Sequence, residues 1–284
     1  MKIGFIGLGN MGGDMAANLA RVGHVVKAFN LSKDALAQAK AKGCVPCASI
    51  QEAVVDADAV VTMLPNGKIV EQVYAEDVVG HAPRSATLID CSTIDVETAT
   101  KVARDAAKRG GYEMVDAPVS GGQGGAQNGL LTVMCGGDAD IFEITKPAAM
   151  AFSRAYTLMG ESGAGQLTKM VNQVCIAGLV QGLSEAIAFG QKAGLDMNLV
   201  LDVIGKGAAQ SWQMDNRGKT MVADKFDFGF AVDWMRKDLG LVMEEAKRNG
   251  ARLPVTALVD QFYADVQQMG GKRWDTSSLI KRLG

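Results

Sequence analysis

Six residues constrain this chain's fold more than any other stretch: Gly7-Leu8-Gly9-Asn10-Met11-Gly12. They follow an apolar run, Lys2–Ile6, that reads as a strand, and they open a helical pattern from Met11 to Val22. A second apolar strand, Val25–Phe29, comes next. Glycine at the first position permits the tight turn, and at the third it lets a pyrophosphate approach the backbone. The last glycine lets helix and strand pack closely. The helix N-terminus supplies N–H groups and a positive dipole end to the phosphates. Outside such a setting the six residues would be an ordinary glycine-rich turn; within it they predict a dinucleotide site.

The alternation continues. Strand patterns at Ala59–Met63, Thr87–Asp90, Met114–Asp116, Leu130–Cys135 and Tyr156–Leu158 are interleaved with helical ones at Asp34–Lys42, Ile50–Ala57, Ile69–Tyr74, Val96–Arg109 and Ala139–Phe152. This is the signature of a parallel sheet covered by helices. Capping-box spacing, Ser49 with Glu52 and Ser92 with Asp95, marks two helix starts. After Gly165 the strand signal stops. One long helical pattern runs from Gln166 to about Ala193, followed by helices at Met197–Ile204, Asp215–Ala223, Asp233–Asn249, Pro254–Gln268 and Ser277–Arg282. The 284 residues therefore predict two domains, 1–162 α/β and 163–284 all-helical, joined by a long helix.

Composition narrows the function. Lys and Arg number 29 against 31 Asp and Glu, and aromatic residues make up 6%. That argues against nucleic acid, which calls for a clustered basic excess. The most apolar stretch, Met170–Ser184, contains Asn172, Gln173 and Gln181 and falls short of the ~20 apolar residues a bilayer demands, so no membrane span is expected. Five scattered cysteines in a core-forming chain point to reduced thiols in a cytoplasm. Cys44 and Cys47 have no second pair to complete four ligands, and two histidines do not make a His-rich centre; no metal is expected. A proton donor here comes from some residue other than histidine.

The residue ending the second strand bears on the cofactor. An acidic residue there would bond the ribose 2′-OH of NAD and repel the 2′-phosphate of NADP. This chain has Asn30, then Leu31, Ser32 and Lys33. The amide removes the repulsion, and Ser32 and Lys33 can help hold a phosphate, although no arginine clamps it. The balance leans to NADP and leaves NAD open. Three further segments lie at strand C-termini, where open α/β sheets bind ligands: Met63–Asn66, Cys91–Thr93 and Asp116–Gly122. Ser120-Gly121-Gly122 offers a hydroxyl and unobstructed N–H groups to a carboxylate, though a bare Ser-Gly-Gly more often marks a plain loop. Lys169 and Asn172 are one helical turn apart, near a helix start at the junction of the two halves. A lysine there opposes the helix dipole. Alone, it reads as a solvated surface charge, as does Lys237-Asp238.

Taken together, the segments GLGNMG with Met15–Leu19, DAPVSGG at Asp116–Gly122, GxGxxxKxxN from Gly163 to Asn172, and Lys237-Asp238-Leu239 occur in order across nearly the whole chain. In this they resemble the β-hydroxyacid dehydrogenase family. The resemblance implies a Rossmann-type domain followed by an all-helical one. It implies hydride transfer between NAD(P) and a small 3-hydroxy acid such as 3-hydroxyisobutyrate, and its semialdehyde. Relatives acting on tartronate or succinic semialdehyde or on serine, and a non-enzymatic dinucleotide-binding scaffold, are the alternatives. By the same resemblance Lys169 is the catalytic acid/base and Asn172 orients the substrate. Ser120, Gly121 and Gly122 hold its carboxylate, and Leu64, Pro65, Asn66, Thr93 and Lys237 meet the cofactor. A homodimer or homotetramer is also implied. Leu31 departs from the family pattern, standing where NADP-preferring members often carry arginine.

Overall fold

A computed structural model describes residues 1–284. The chain forms two compact units, Met1–Lys169 and Met170–Gly284. The first is built on nine strands: β1 (Lys2–Ile6), β2 (Val25–Phe29), β3 (Val45–Pro46), β4 (Ala59–Thr62), β5 (Thr87–Asp90), β6 (Met114–Asp116), β7 (Val119–Ser120), β8 (Leu131–Gly136) and β9 (Ser153–Gly160). Their order is β3-β2-β1-β4-β5-β6-β8-β7, with β9 beside β8. The six from β3 to β6 pair in parallel, while β8 is antiparallel to both β6 and β7. This 3-2-1-4-5-6 order is that of the doubly wound dinucleotide-binding sheet, whose switch point lies between β1 and β4.

Helices α1 (Gly12–Arg21), α2 (Lys33–Ala41), α3 (Ile50–Val54), α4 (Gly67–Val73), α5 (Val96–Gly110), α6 (Gly122–Asn128) and α7 (Ala139–Ala149) complete this unit. Successive strand residues serve opposite faces. Phe5, Val61 and Ile89 join Met15 and Leu19 of α1 in one core cluster, while Ile6, Val60 and Leu88 join Val54, Val70 and Val102 in the other. Burial on both faces explains why these strands read as continuous apolar runs.

Three elements escape the sequence pattern. β3 and β7 have two residues each, too few to show a period. α6 has the sequence GQGGAQN, and glycine disfavours helix by about 1 kcal/mol per residue. Tertiary contacts overrule that propensity: Ala126 is fully buried, and Asn18 Nδ2 of α1 donates to its carbonyl at 2.6 Å. One expected cap is corrected. Ser49 accepts from Glu52 N at 3.1 Å as anticipated, but α5 is capped by Asp95, which accepts from Thr98 N at 2.7 Å. Ser92 serves a different loop.

The second unit begins inside α8 (Ala164–Lys192) and continues with α9 (Met197–Ile204), α10 (Trp212–Val222), α11 (Val232–Asn249) and α12 (Pro254–Gln268). The last helical segment, Thr276–Leu283, is 3-10 rather than α. Ala177 and Val180 of α8 pack with α11 and α12, and Leu183 and Ile187 pack with α9 and α10. The long helix is thus the spine expected of it. Its apolar stretch exceeds Met170–Ser184: all 29 residues form one helix whose most apolar window has a mean hydropathy of 1.3, enough by length and composition to cross a membrane. Half of that window is buried inside the protein, as in a core helix. Trp274 fills both clusters, whereas Trp212 and Trp234 lie partly exposed beneath Arg217 and Arg273.

Candidate active site

The parallel strands bring the expected loops to one edge of the first unit. Gly7 N donates to Phe29 O at 3.0 Å, Met63 N to Ile6 O at 2.9 Å, Cys91 N to Thr62 O at 2.8 Å and Ala117 N to Asp90 O at 2.7 Å. Each strand's final carbonyl or N–H therefore ties its loop to the neighbouring one, across the switch point.

The glycine-rich loop is shaped by sterics. Gly7 has φ +98°, and a Cβ there would collide with the Met63 carbonyl oxygen. A Cβ on Gly12 would collide with the carbonyl oxygen of Gly7, so α1 packs directly on the turn. Gly9 is different: no atom lies within 4 Å of where its Cβ would stand. The cradle is closed at two glycines and open at the one a pyrophosphate must approach, so these residues fit a dinucleotide. Leu8 is buried, Asn10 is exposed and Met11 directly precedes α1. Beside the loop lies a cavity of about 500 Å³ lined by Leu8, Gly9, Asn10, Asn30, Ser32 and Lys42, among others.

Asn30 and Ser32 do structural work that sequence reasoning did not assign. Asn30 Oδ1 accepts from Leu8 N at 3.0 Å, holding the glycine loop against the end of β2. Ser32 Oγ caps α2, accepting from Ala35 N at 3.3 Å. Lys33 is exposed on the first turn of that helix, and Lys42, at its far end, pairs with Asp14 at 2.6 Å.

A buried polar chain supports the loops after β4 and β5. Thr62 Oγ1 donates to Asp90 Oδ1 at 2.8 Å and meets the Tyr74 hydroxyl at 2.9 Å. Ser92 N donates to the same carboxylate oxygen at 3.1 Å, and Ser92 Oγ accepts from Leu64 N at 2.8 Å. Leu64 and Thr93 are thereby fixed relative to one another. Burial pushes the Asp90 carboxyl up to about 6, against the opposing hydrogen bonds of Ser92 and Thr62. Leu64 and Pro65 are half-buried, and Asn66 caps α4 by accepting from Ile69 N at 3.0 Å.

Two residues unassigned by the sequence reading organise the start of α8. Asp116, at the end of β6, accepts from Gly163 N at 2.7 Å and Gln166 N at 2.9 Å. Burial raises its carboxyl, while those backbone N–H groups pull the other way. A Cβ on Gly165 would collide with the Met134 carbonyl, so glycine is required for this approach. The fully buried Gln166 donates from Nε2 to Ser92 O at 2.8 Å and accepts at Oε1 from Ile94 N at 3.1 Å. It therefore clasps the loop on both sides of Thr93. One turn further on, Lys169 is 7% exposed, which removes it from the class of solvated surface lysines. A carboxylate at the helix N-terminus also relieves the mismatch between a lysine and the dipole. Ser120 ends β7, and Gly121 and Gly122, at φ +129° and +63°, turn the chain into α6.

In the second unit, Asn172 and Gln173 follow on α8, and Lys237 and Asp238 lie on α11. Lys237 Nζ is 2.9 Å from Asp238 Oδ1.

Comparison with known proteins accords with this geometry. Residues 2–160 match the family model of the NAD-binding domain of 6-phosphogluconate dehydrogenase. Residues 163–283 match that of the NAD-binding region of NADP-dependent 3-hydroxyisobutyrate dehydrogenase. A Shewanella frigidimarina protein named only as an oxidoreductase is 50% identical, covering 99% of this chain and 98% of its own. Pseudomonas aeruginosa 3-hydroxyisobutyrate dehydrogenase is 36% identical, over 98% of this chain and 97% of its own. The solved structure of Mycobacterium tuberculosis 3-hydroxyisobutyrate dehydrogenase with L-serine superposes with a TM-score of 0.88 at 34% identity, covering 99% of this chain and 98% of that one. The chain carries NAD(P)-binding domains and belongs to the β-hydroxyacid dehydrogenase family of NAD(P)-dependent oxidoreductases.

Proposed function

We propose that the protein interconverts a small 3-hydroxy acid, 3-hydroxyisobutyrate or a close analogue, and its semialdehyde, with Lys169 as the acid/base. The observation that carries the reading is the burial of that amine one turn after Gln166, whose side chain clasps the loop around Thr93. The bound nicotinamide supplies the hydride acceptor in oxidation and the hydride donor in reduction. Lys169 takes the hydroxyl proton in oxidation; in reduction its ammonium returns that proton and stabilises the developing charge on oxygen. A solvated lysine, with a pKa of about 10.4, is a poor base near neutrality. Asn172 orients the reacting oxygen. Ser120 with the N–H groups of Gly121 and Gly122 holds the carboxylate, which fixes the reacting carbon.

On the cofactor side, Gly7 to Gly12 take the pyrophosphate, and Leu64, Pro65, Asn66, Thr93 and Lys237 meet the remainder. NADP is the preferred form in this reading. β2 ends on an amide rather than a carboxylate, and Ser32 and Lys42 line the adjoining cavity. A homodimer or homotetramer is part of the proposal, supported by Val171, Leu179 and Phe189, exposed along the apolar α8. The working compartment is the cytoplasm, in keeping with five free cysteines.

The test is a panel of 3-hydroxyisobutyrate, glycerate, 4-hydroxybutyrate and serine against both oxidised cofactors. The highest kcat/KM is expected for 3-hydroxyisobutyrate with NADP. A preference for serine or glycerate would move the substrate to the corresponding relatives, and tight cofactor binding without turnover of any acid would leave only a dinucleotide-binding scaffold.

A further inference from the structure

We propose that Gln173 is a positioning residue that orients Asn172 and couples it to the Asp238–Lys237 ion pair. The proposal rests on the dehydrogenase reading and deepens it.

Gln173 is 1% exposed and Asp238 is 2% exposed. Buried amides and carboxylates persist where their polar atoms are matched, and both groups of the Gln173 amide are used in opposite senses. Its Oε1 accepts from Asn172 Nδ2 at 2.8 Å. Its Nε2 donates to Asp238 Oδ2 at 2.7 Å and approaches Met235 Sδ at 3.6 Å. The second carboxylate oxygen faces Lys237 Nζ at 2.9 Å, a charge contact without the directed geometry of a hydrogen bond. The order Asn172, Gln173, Asp238, Lys237 is therefore a single polar line joining α8 to α11.

The chemistry of each link fixes its sense. A carboxylate only accepts, so the Gln173 NH₂ must face Asp238 and its carbonyl must face Asn172. That carbonyl in turn demands the Asn172 NH₂, which settles the orientation of the Asn172 amide. The charge on Asp238 strengthens the first bond, and Lys237 offsets that charge in a buried setting. Isolated asparagine has two amide orientations of similar energy; this line leaves one. The residue proposed to align the substrate is thus preorganised by a neighbour that touches no substrate.

Gln173→Met keeps the volume and removes both hydrogen bonds. With 3-hydroxyisobutyrate, kcat/KM is expected to fall about 10- to 100-fold, the loss of one charge-assisted bond and its dependent partner. Calorimetric Kd for 3-hydroxyisobutyrate should weaken in parallel, with the cofactor Kd held within about twofold. In an Asn172→Ala background the same substitution should cost less than about twofold more, because its effect runs through Asn172. Additive losses, or a lowered Tm with unchanged kcat/KM, would overturn the relay while leaving the dehydrogenase reading intact, provided Lys169→Ala still lowers kcat by about 10²-fold or more. If neither Lys169→Ala nor Asn172→Ala matters, both fall together. Should the Met variant not fold, Gln173→Glu sets a carboxylate against Asp238, with Lys237 of α11 beside Asp238 and Lys169 one turn earlier on α8 as the neighbouring cations. Its kcat/KM profile should then gain an ionisation that the parent lacks. A profile superimposable on the parent's would refute the assignment.

Discussion

The two units carry polar groups inward in different ways. In Met1–Lys169 the buried carboxylates hold loop backbone: Asp116 accepts from Gly163 N and Gln166 N, and Asp90 from Ser92 N as well as from the Thr62 hydroxyl. The glycines there are dictated by close approach of main chain to main chain. In Met170–Gly284 the fully buried Asp275 likewise accepts from Phe230 N and Ser277 N, but the line from Asn172 to Lys237 runs from side chain to side chain. A site edged by backbone is set once the sheet forms and tolerates few residues at its close contacts. A side-chain line can be retuned by one substitution without moving any helix. The glycine loop is accordingly held by main-chain contacts, and the line from Asn172 to Lys237 by side chains.

The largest test of that contrast is Lys169→Ala. It should lower kcat by about 10²–10⁴-fold, the usual value of acid/base catalysis, while the cofactor Kd stays within about twofold. Near-parental turnover would remove Lys169 from the chemistry.

A second test concerns the buried carboxylate of Asp90. Its carboxyl sits near 6 in the folded chain, against 3.8 for the group in water. As pH falls from 6 to 4 the folded protein takes up a proton that the unfolded chain does not, so this group favours folding at acid pH. Its penalty is complete above pH 6. A shift of this size corresponds to about 3 kcal/mol at 1.36 kcal/mol per unit. Asparagine does not titrate, so the stability of Asp90→Asn relative to the parent should improve by about that amount between pH 4 and pH 7. Chemical denaturation at the two pH values measures it, and a pH-independent difference would mean that burial does not raise the carboxyl.

The third test separates glycines within one loop. Gly12→Ala places a Cβ against the Gly7 carbonyl and should cost about 1–3 kcal/mol of stability, as overpacking does, along with most cofactor affinity. Gly9→Ala meets nothing; its Tm should be unchanged within about 2 °C, while the dinucleotide Kd rises. Equal effects on folding would dissolve the distinction between a packed glycine and a ligand-facing one.

Much of the α/β unit was legible because its information is local. Lys2–Ile6, Val25–Phe29, Thr87–Asp90 and Met114–Asp116 form as strands with the limits that the apolar runs mark. β3, β7 and α6 were not legible: two-residue strands have no period, and a helix rich in glycine exists only because Asn18 and Ala126 meet in the core. Ser92 shows the same limit at the scale of one hydroxyl. Its spacing from Asp95 fits a helix cap, yet packing delivers it to Leu64 N.

By itself the sequence determined the alternation of strands and helices, the glycine cradle at Gly7–Gly12 and the helix carrying Lys169, because each depends on residues a few positions apart. Only the tertiary structure decided that Asp116 would receive the start of α8, that Gln166 would clasp the Thr93 loop, and that Gln173 would reach Asp238. Those partners lie 47 to 74 residues apart in the chain. Nothing in local spacing ties them together; burial brings them into reach, and the cost of an unmatched polar group in the interior makes them pair.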